Sequence, residues 1–169
     1  SSLDLCAAND KKFEPFAQLA ADNNLPILFH TKMDQYSNPM NLLSFAQKYP
    51  DLRICAAHLA QLYRPFYEEL IKNSNYQNVY IDCAPLSRNY FTMSTFISDL
   101  HIIFPCPINM LKELNNRYPQ KLLWGSDAPW HRYVNEQNKL VEYHDEIALI
   151  NESNLWSEFT NNSISFLFG

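Results

Sequence analysis

Apolar residues in this chain follow two rhythms. Short, nearly continuous hydrophobic runs alternate with longer stretches in which apolar residues recur every three or four positions. The short runs, Pro26–His30, Leu52–Ala57, Asn78–Cys83 and Lys121–Ser126, have strand length and are too uniformly apolar to leave one face wet. Helical spacing predicts helices over Phe13–Asp22, Met40–Lys48, about Arg64–Asn73, Gln137–Ile150 and Leu155–Leu167. Glu14-Pro15 opens the first helix and Pro39 the second, because the missing proline N–H costs least in a first turn. Asn23-Asn24 and Tyr49-Pro50-Asp51 close them. Phe91–Arg117 predicts helix on both sides of a break at Pro105 and Pro107. In the tail, Glu142 with Glu146, and Asp145 with Glu152, read as a solvated face.

The resulting order is α-β-α-β-α-β-α-β-α-α, with strands about 25 to 45 residues apart. Such alternation predicts an α/β fold of parallel strands joined by helical crossovers, within a single domain over residues 1–169. Four such units suit half of an eight-stranded barrel or a small open sheet. The open-sheet reading has a gap: there is neither GxGxxG nor GxxxxGK[ST], and with Gly125 the only internal glycine no phosphate loop exists, so nucleotide or dinucleotide binding in the usual mode is not expected.

Composition narrows the function classes. Hydrophobic residues at 47% and charged residues at 18% describe a chain with enough apolar material for a core. A net charge of −5 leaves no basic patch for nucleic acid or an acidic membrane surface. No apolar run approaches the roughly 18 residues of a membrane span, and the opening SSLDLCAANDKK has no signal-peptide pattern. The first residue is Ser rather than Met, which fits a processed or truncated end. The four cysteines form no CxxC pair; Cys55 and Cys83 fall within predicted strands as small buried hydrophobes, and a reducing, cytoplasmic setting is expected.

Candidate chemistry sits at the strand ends. LPILFHT ends at His30, LRICAAH ends at His58, and KLLWGSDAPW carries Asp127 just beyond its apolar run, where Pro129 bars an immediate helix. In parallel α/β folds, ligands and catalytic groups gather at these C-terminal ends. Imidazole nitrogen and carboxylate oxygen are the donors of a hydrolytic divalent metal site, Zn²⁺ in particular. Singly, each histidine is at home as a loop or core residue, and Asp127 as an Asx turn or helix cap. Their repetition at three of four strand ends favours a shared site. A Ser-His-Asp arrangement through Ser126 or Ser87 lacks a GxSxG elbow, and Cys55 and Cys83 are too deep for a nucleophile.

In order along the chain, LPILFHT, YPDLRICAAHL, NVYIDCA and LLWGSDAPW resemble the last four strands of the amidohydrolase-related metal-dependent hydrolases. That branch of the amidohydrolase superfamily also contains aminocarboxymuconate-semialdehyde decarboxylase. The ending NNSISFLFG resembles the family's closing helix, with Asn162 matching an Asn that begins its last segment. The resemblance runs from about Phe13 to Gly169 and implies the C-terminal half of a TIM-like (β/α)8 barrel: four parallel strands with helices, plus a C-terminal helix. It implies His30 and Asp127 as ligands of a divalent metal, with Zn²⁺ expected. It also implies His58 as the group that polarises substrate or relays a proton, and Asp127 as acceptor of a proton from the attacking water. Trp130, His131 and Arg64 are then candidate contacts to a small-molecule substrate, with Arg132 a further cation for an acidic one.

Two departures accompany the resemblance. The family's first-strand His-x-His pair is missing, and where the family has glycines after the sixth-strand histidine this chain has Leu59-Ala60-Gln61, expected to narrow the pocket. Half a barrel leaves an open edge, so the missing N-terminal half or a second copy is the expected partner. The leading expectation is water attack on a C–N or C–O bond; the alternatives are decarboxylation of a small carboxylic acid and a non-catalytic half-barrel used in assembly or binding.

Overall fold

The computed structural model describes residues 6–84, 86, 106–127, 133–134, 140–141 and 143–169. They form an α/β fold, with α1 (Glu14–Asp22), β1 (Ile27–Phe29), α2 (Pro39–Lys48), β2 (Ile54–Ala56), α3 (Arg64–Lys72), β3 (Val79–Asp82), α4 (Pro107–Arg117) and β4 (Leu122–Leu123) in order. A short ribbon, β5 (Tyr133–Val134) and β6 (Leu140–Val141), precedes α5 (Tyr143–Ser153) and α6 (Trp156–Phe168). The chain divides into two compact units, one built from the chain up to Ile81 together with Ile164–Gly169, the other from Asp82–Ser163.

In the first unit, β1 and β2 run parallel in the register Ile27↔Ile54 to Phe29↔Ala56, and β2 and β3 in the register Ile54↔Val79 to Ala56↔Ile81. Ile54, Cys55 and Ala56 have no exposed surface, as expected of a strand covered on both faces. Asn38 starts α2 by accepting from the Met40 N–H at 2.9 Å, with Pro39 in the first turn. The buried face of α2, Leu42, Leu43, Phe45 and Ala46, is the one its periodicity predicts. Phe45 joins Phe29 and Phe13 in an aromatic cluster with ring centroids 5.1 to 5.5 Å apart. Asn78, just before β3, donates to the carbonyls of Tyr49 and Leu52 at 2.9 and 3.0 Å, tying the loop after α2 to the sheet. At the other end of the chain, Arg53 Nε donates to the Phe166 carbonyl at 2.7 Å, and the Phe166 ring lies 5.1 Å from that of Tyr80.

β3 straddles the division, and its last residue opens the second unit. There the Cys83 N–H donates to the Leu123 carbonyl at 3.0 Å, so the sheet order is β1-β2-β3-β4. Buried Asn162 donates through Nδ2 to the Leu122 carbonyl at 2.8 Å. Asn162 thus stands inside α6 rather than at the start of a closing segment. Trp124 and Trp156 meet edge to face at 5.5 Å.

The four predicted strands are all present, each shorter than its apolar run, and the parallel α/β arrangement is that of part of a TIM-like barrel. Helix after the Pro105–Pro107 break is present as α4; the stretch before the break lies outside the described residues. Two tail expectations need correction. The helix predicted from Gln137 starts at Tyr143, because Leu140–Val141 pairs with Tyr133–Val134 as an antiparallel ribbon. Glu146 is 3% exposed, so it does not belong to a solvated face, whereas Glu152 is exposed.

Candidate active site

Parallel pairing of Phe29 with Ala56 makes the next residues leave the sheet side by side. The Ala57 N–H donates to the Phe29 carbonyl at 2.9 Å, extending the ladder one step beyond the strands. His30 and His58 follow. His30 Nδ1 lies 3.1 Å from His58 Nε2, with ring centroids 4.9 Å apart and planes inclined by 74°. A hydrogen bond between two imidazoles needs one ring to donate and the other to accept, so the pair holds one proton between the facing nitrogens. His30 is exposed and His58 half-buried, which leaves the pair reachable by a small molecule.

The backbone that presents His58 is unusual. From His58 to Leu62 the φ angles are 59°, 53°, 45°, 57° and 48°, a left-handed turn without a glycine. Each such residue costs roughly 1–2 kcal/mol, because Cβ crowds the following carbonyl. Leu59 and Ala60 are fully buried, which offsets part of that cost. Hydrogen bonds hold the rest: Tyr67 donates its hydroxyl to the Leu59 carbonyl at 2.8 Å, and Gln61 Nε2 donates to the Thr31 carbonyl at 2.9 Å. The Leu-Ala-Gln sequence therefore takes the conformation that glycines would take, with two of its side chains turned into the core.

The end of β4 is arranged differently. A Cβ on Gly125 would stand 2.9 Å from Ala84 Cβ and 3.6 Å from Asp82 Cγ, so only glycine allows this close approach. Two residues on, half-buried Asp127 has φ of 52°. Asp82, 7% exposed at the end of β3, accepts from the Ala84 N–H through Oδ1 at 2.9 Å. Sequence reading passed over this carboxylate, although an acid closing an otherwise apolar run was the same signal that singled out the histidines. Burial, and then the Asp82 carboxylate, push the neighbouring Cys83 thiol well above its usual range, which keeps it protonated and poorly nucleophilic.

Of the other predicted residues, Arg64 opens α3 with its side chain 88% exposed and its Nε 2.7 Å from Glu68 Oε1 on the same helix. Trp130, His131, Arg132 and Ser87 lie outside the described residues. Beside His30 a cavity of about 210 Å³ is lined by Phe13, Phe29, Thr31, Tyr36 and Leu42 among others.

The histidine pair suits a metal in its donor chemistry. Two imidazoles bound to one tetrahedral ion at about 2.0–2.1 Å stand about 3.3 Å apart, close to the 3.1 Å found. A catalytic zinc takes three protein ligands, and no group of three His, Cys, Asp or Glu that could hold an ion is assembled among the described residues. The pair alone does not complete such a set among the described residues.

The amidohydrolase family model matches residues 4–148. Amidohydrolase 2 from Bifidobacterium longum subsp. infantis, a solved structure, superposes with a TM-score of 0.58 at 15% identity, over 94% of this chain and 56% of that one. At that identity the likeness is one of fold, and this chain spans little more than half the length of that structure. No curated protein matches the chain.

Proposed function

Because this chain belongs to the amidohydrolase family, we propose that it is the C-terminal half of a metal-dependent hydrolase that cleaves a C–N or C–O bond of a small substrate, from the branch related to aminocarboxymuconate-semialdehyde decarboxylase. The observation that carries this reading is the convergence of His30 and His58 at the C-terminal ends of adjacent parallel strands, nitrogen to nitrogen at 3.1 Å. His30 and Asp127 would hold a divalent cation, Zn²⁺ by its donor preference, together with ligands from the N-terminal half. Such a cation, when bound, supplies Lewis acidity that brings the ionisation of water close to neutrality. His58 polarises the substrate or relays a proton, with its Nε2 facing His30. The Asp127 carboxylate accepts the proton that the attacking water gives up. Trp130, His131 and Arg64 remain the proposed substrate contacts.

The half-barrel part of the reading draws support from β1. It pairs only with β2 among the described residues, and its Leu28 is 59% exposed. An apolar side chain on an open strand edge is a surface that a further strand or helix would cover. Expression from the longest reading frame that contains this chain, assayed with Zn²⁺ against a panel of amides, esters and small carboxylic acids, tests the proposal. Zinc-dependent release of amine or alcohol, lost in Asp127→Asn, is the expected result. Release of CO₂ alone would move the activity to decarboxylation, and failure to bind zinc in the full-length protein would leave a non-catalytic module.

A further inference from the structure

The two histidine-bearing loops are stitched together at three points that bracket the histidines. Ahead of His30, the Phe29 carbonyl accepts from the Ala57 N–H at 2.9 Å. Immediately after it, Thr31 Oγ1 donates to the Ala57 carbonyl at 2.5 Å, and the Thr31 carbonyl accepts from Gln61 Nε2 at 2.9 Å. His30 therefore has a tied residue on each side. His58 lies between Ala57 and Gln61, which are tied to the same two residues. Thr31 is 1% exposed, so its hydroxyl has no water to exchange for the Ala57 carbonyl.

We infer that Thr31 and Gln61 are positioning residues that fix the distance between the two imidazoles by cross-bracing the loop after β1 to the left-handed turn after β2. The turn makes such bracing necessary. Five consecutive non-glycine residues at positive φ relax toward the ordinary right-handed or extended regions unless other contacts oppose them. Relaxation would swing His58, the first residue of the turn, away from His30. Gln61 acts from inside the turn: its side chain reaches across to the Thr31 carbonyl, so the strained residue carries its own tether. Thr31 acts from the other side, engaging the carbonyl that also accepts the Ala60 N–H, the hydrogen bond that closes the turn. Both residues bear on geometry rather than on chemistry, since the Thr31 hydroxyl and the Gln61 Nε2 are engaged with backbone carbonyls.

This inference rests on the proposed function only for its consequence in turnover, and it can be read without turnover. The full chain labelled with ¹⁵N-histidine, metal-free and at one fixed pH, should show a through-hydrogen-bond coupling between His30 Nδ1 and His58 Nε2. Thr31→Ser keeps the hydroxyl and should retain the coupling; Thr31→Val, nearly isosteric but without a donor, should lose it. Gln61→Met should lose it too, and it provides the test if Thr31→Val fails to fold. Coupling undiminished in a folded Thr31→Val or Gln61→Met protein, or absent from the unaltered chain, overturns the inference. In the active full-length protein, the same two variants should lower kcat by up to about a hundredfold with KM little changed, as for a misplaced catalytic group. Loss of the coupling with turnover unchanged would leave the bracing in place and count against the functional reading instead.

Discussion

Two strand ends in this molecule solve the same problem by opposite means. After β4, backbone space is made by leaving out a side chain: Gly125 approaches Ala84 so closely that a Cβ would come within 2.9 Å. After β2, no glycine is present, and five residues from His58 to Leu62 accept the left-handed region while side-chain hydrogen bonds and burial hold them there. The first solution is steric, local and intolerant of substitution. The second is strained and distributed, and it depends on partners such as Thr31 and Tyr67 that lie outside the turn. Functional groups are often held by strained backbone when neighbouring contacts over-determine it. Here the strained end carries the histidine, and the glycine end carries the carboxylate.

The largest effect that would sharpen this contrast is chemical. His58→Asn keeps a polar side chain at the head of the turn but removes the proton-carrying ring. In the active full-length protein, kcat should fall by about 10²- to 10⁴-fold while unfolding free energy changes little. Steady-state kinetics beside denaturant unfolding separates the two. An equal loss of stability would make His58 a structural member of its turn rather than the group the turn exists to present.

Next in size is the glycine. Gly125→Val inserts a branched side chain against the buried Ala84 and should cost about 1–3 kcal/mol, or more if β4 is displaced, measured by urea unfolding. Gly125→Ala with Ala84→Gly exchanges the two methyl positions and should recover much of the loss. If the single Gly125→Val change were neutral, close approach would not be what the glycine provides.

How much of this was legible in the residues follows from the same contrast. The runs ending at His30 and His58 show where strands stop, because a polar ligand-type residue after continuous apolar sequence marks an exit. Gly125 is legible as well, being a rare residue at a run's end. Nothing in Leu59-Ala60-Gln61 signals a left-handed turn, since these residue types favour right-handed helix; the conformation is imposed by burial of Leu59 and Ala60 and by hydrogen bonds to residues far along the chain. Glu146 shows the converse. Its spacing with Glu142 fits a wet helix face, but its burial is decided by tertiary contacts that spacing does not encode. The β5–β6 ribbon was missed for another reason: two-residue strands give too short a stretch for periodicity to register.

A smaller effect probes how the glycine end is supported. Asn162 donates to the Leu122 carbonyl from within α6, both groups lying in the second unit. Asn162→Ala strands that carbonyl and should cost about 1–3 kcal/mol, toward the lower end if water enters. Asn162→Asp, which lacks the donor, should not rescue it. Thermal unfolding of both variants reads the outcome, and a neutral Asn162→Ala would mean that β4 is held by packing such as the Trp124–Trp156 contact instead.

The smallest expected change is the most telling about the strained end. Ala60→Gly relieves one left-handed residue, a gain of roughly 1–2 kcal/mol. Against it stand the entropy a glycine adds to the unfolded chain, about 0.4–1 kcal/mol, and the loss of a fully buried methyl, about 0.8 kcal/mol. These terms nearly cancel, so stability should move by no more than about 0.8 kcal/mol in either direction in urea unfolding. The cancellation explains how Ala60 holds its place in the turn without being glycine: burial of its methyl and the smaller unfolded-chain entropy of alanine together return most of what its φ angle costs. A destabilisation of 2 kcal/mol would show that Ala60 contributes packing well beyond its methyl. A stabilisation of that size would show that the turn holds strain its surroundings do not offset, and Thr31 and Gln61 would then be restraining a larger relaxation than the buried surface suggests.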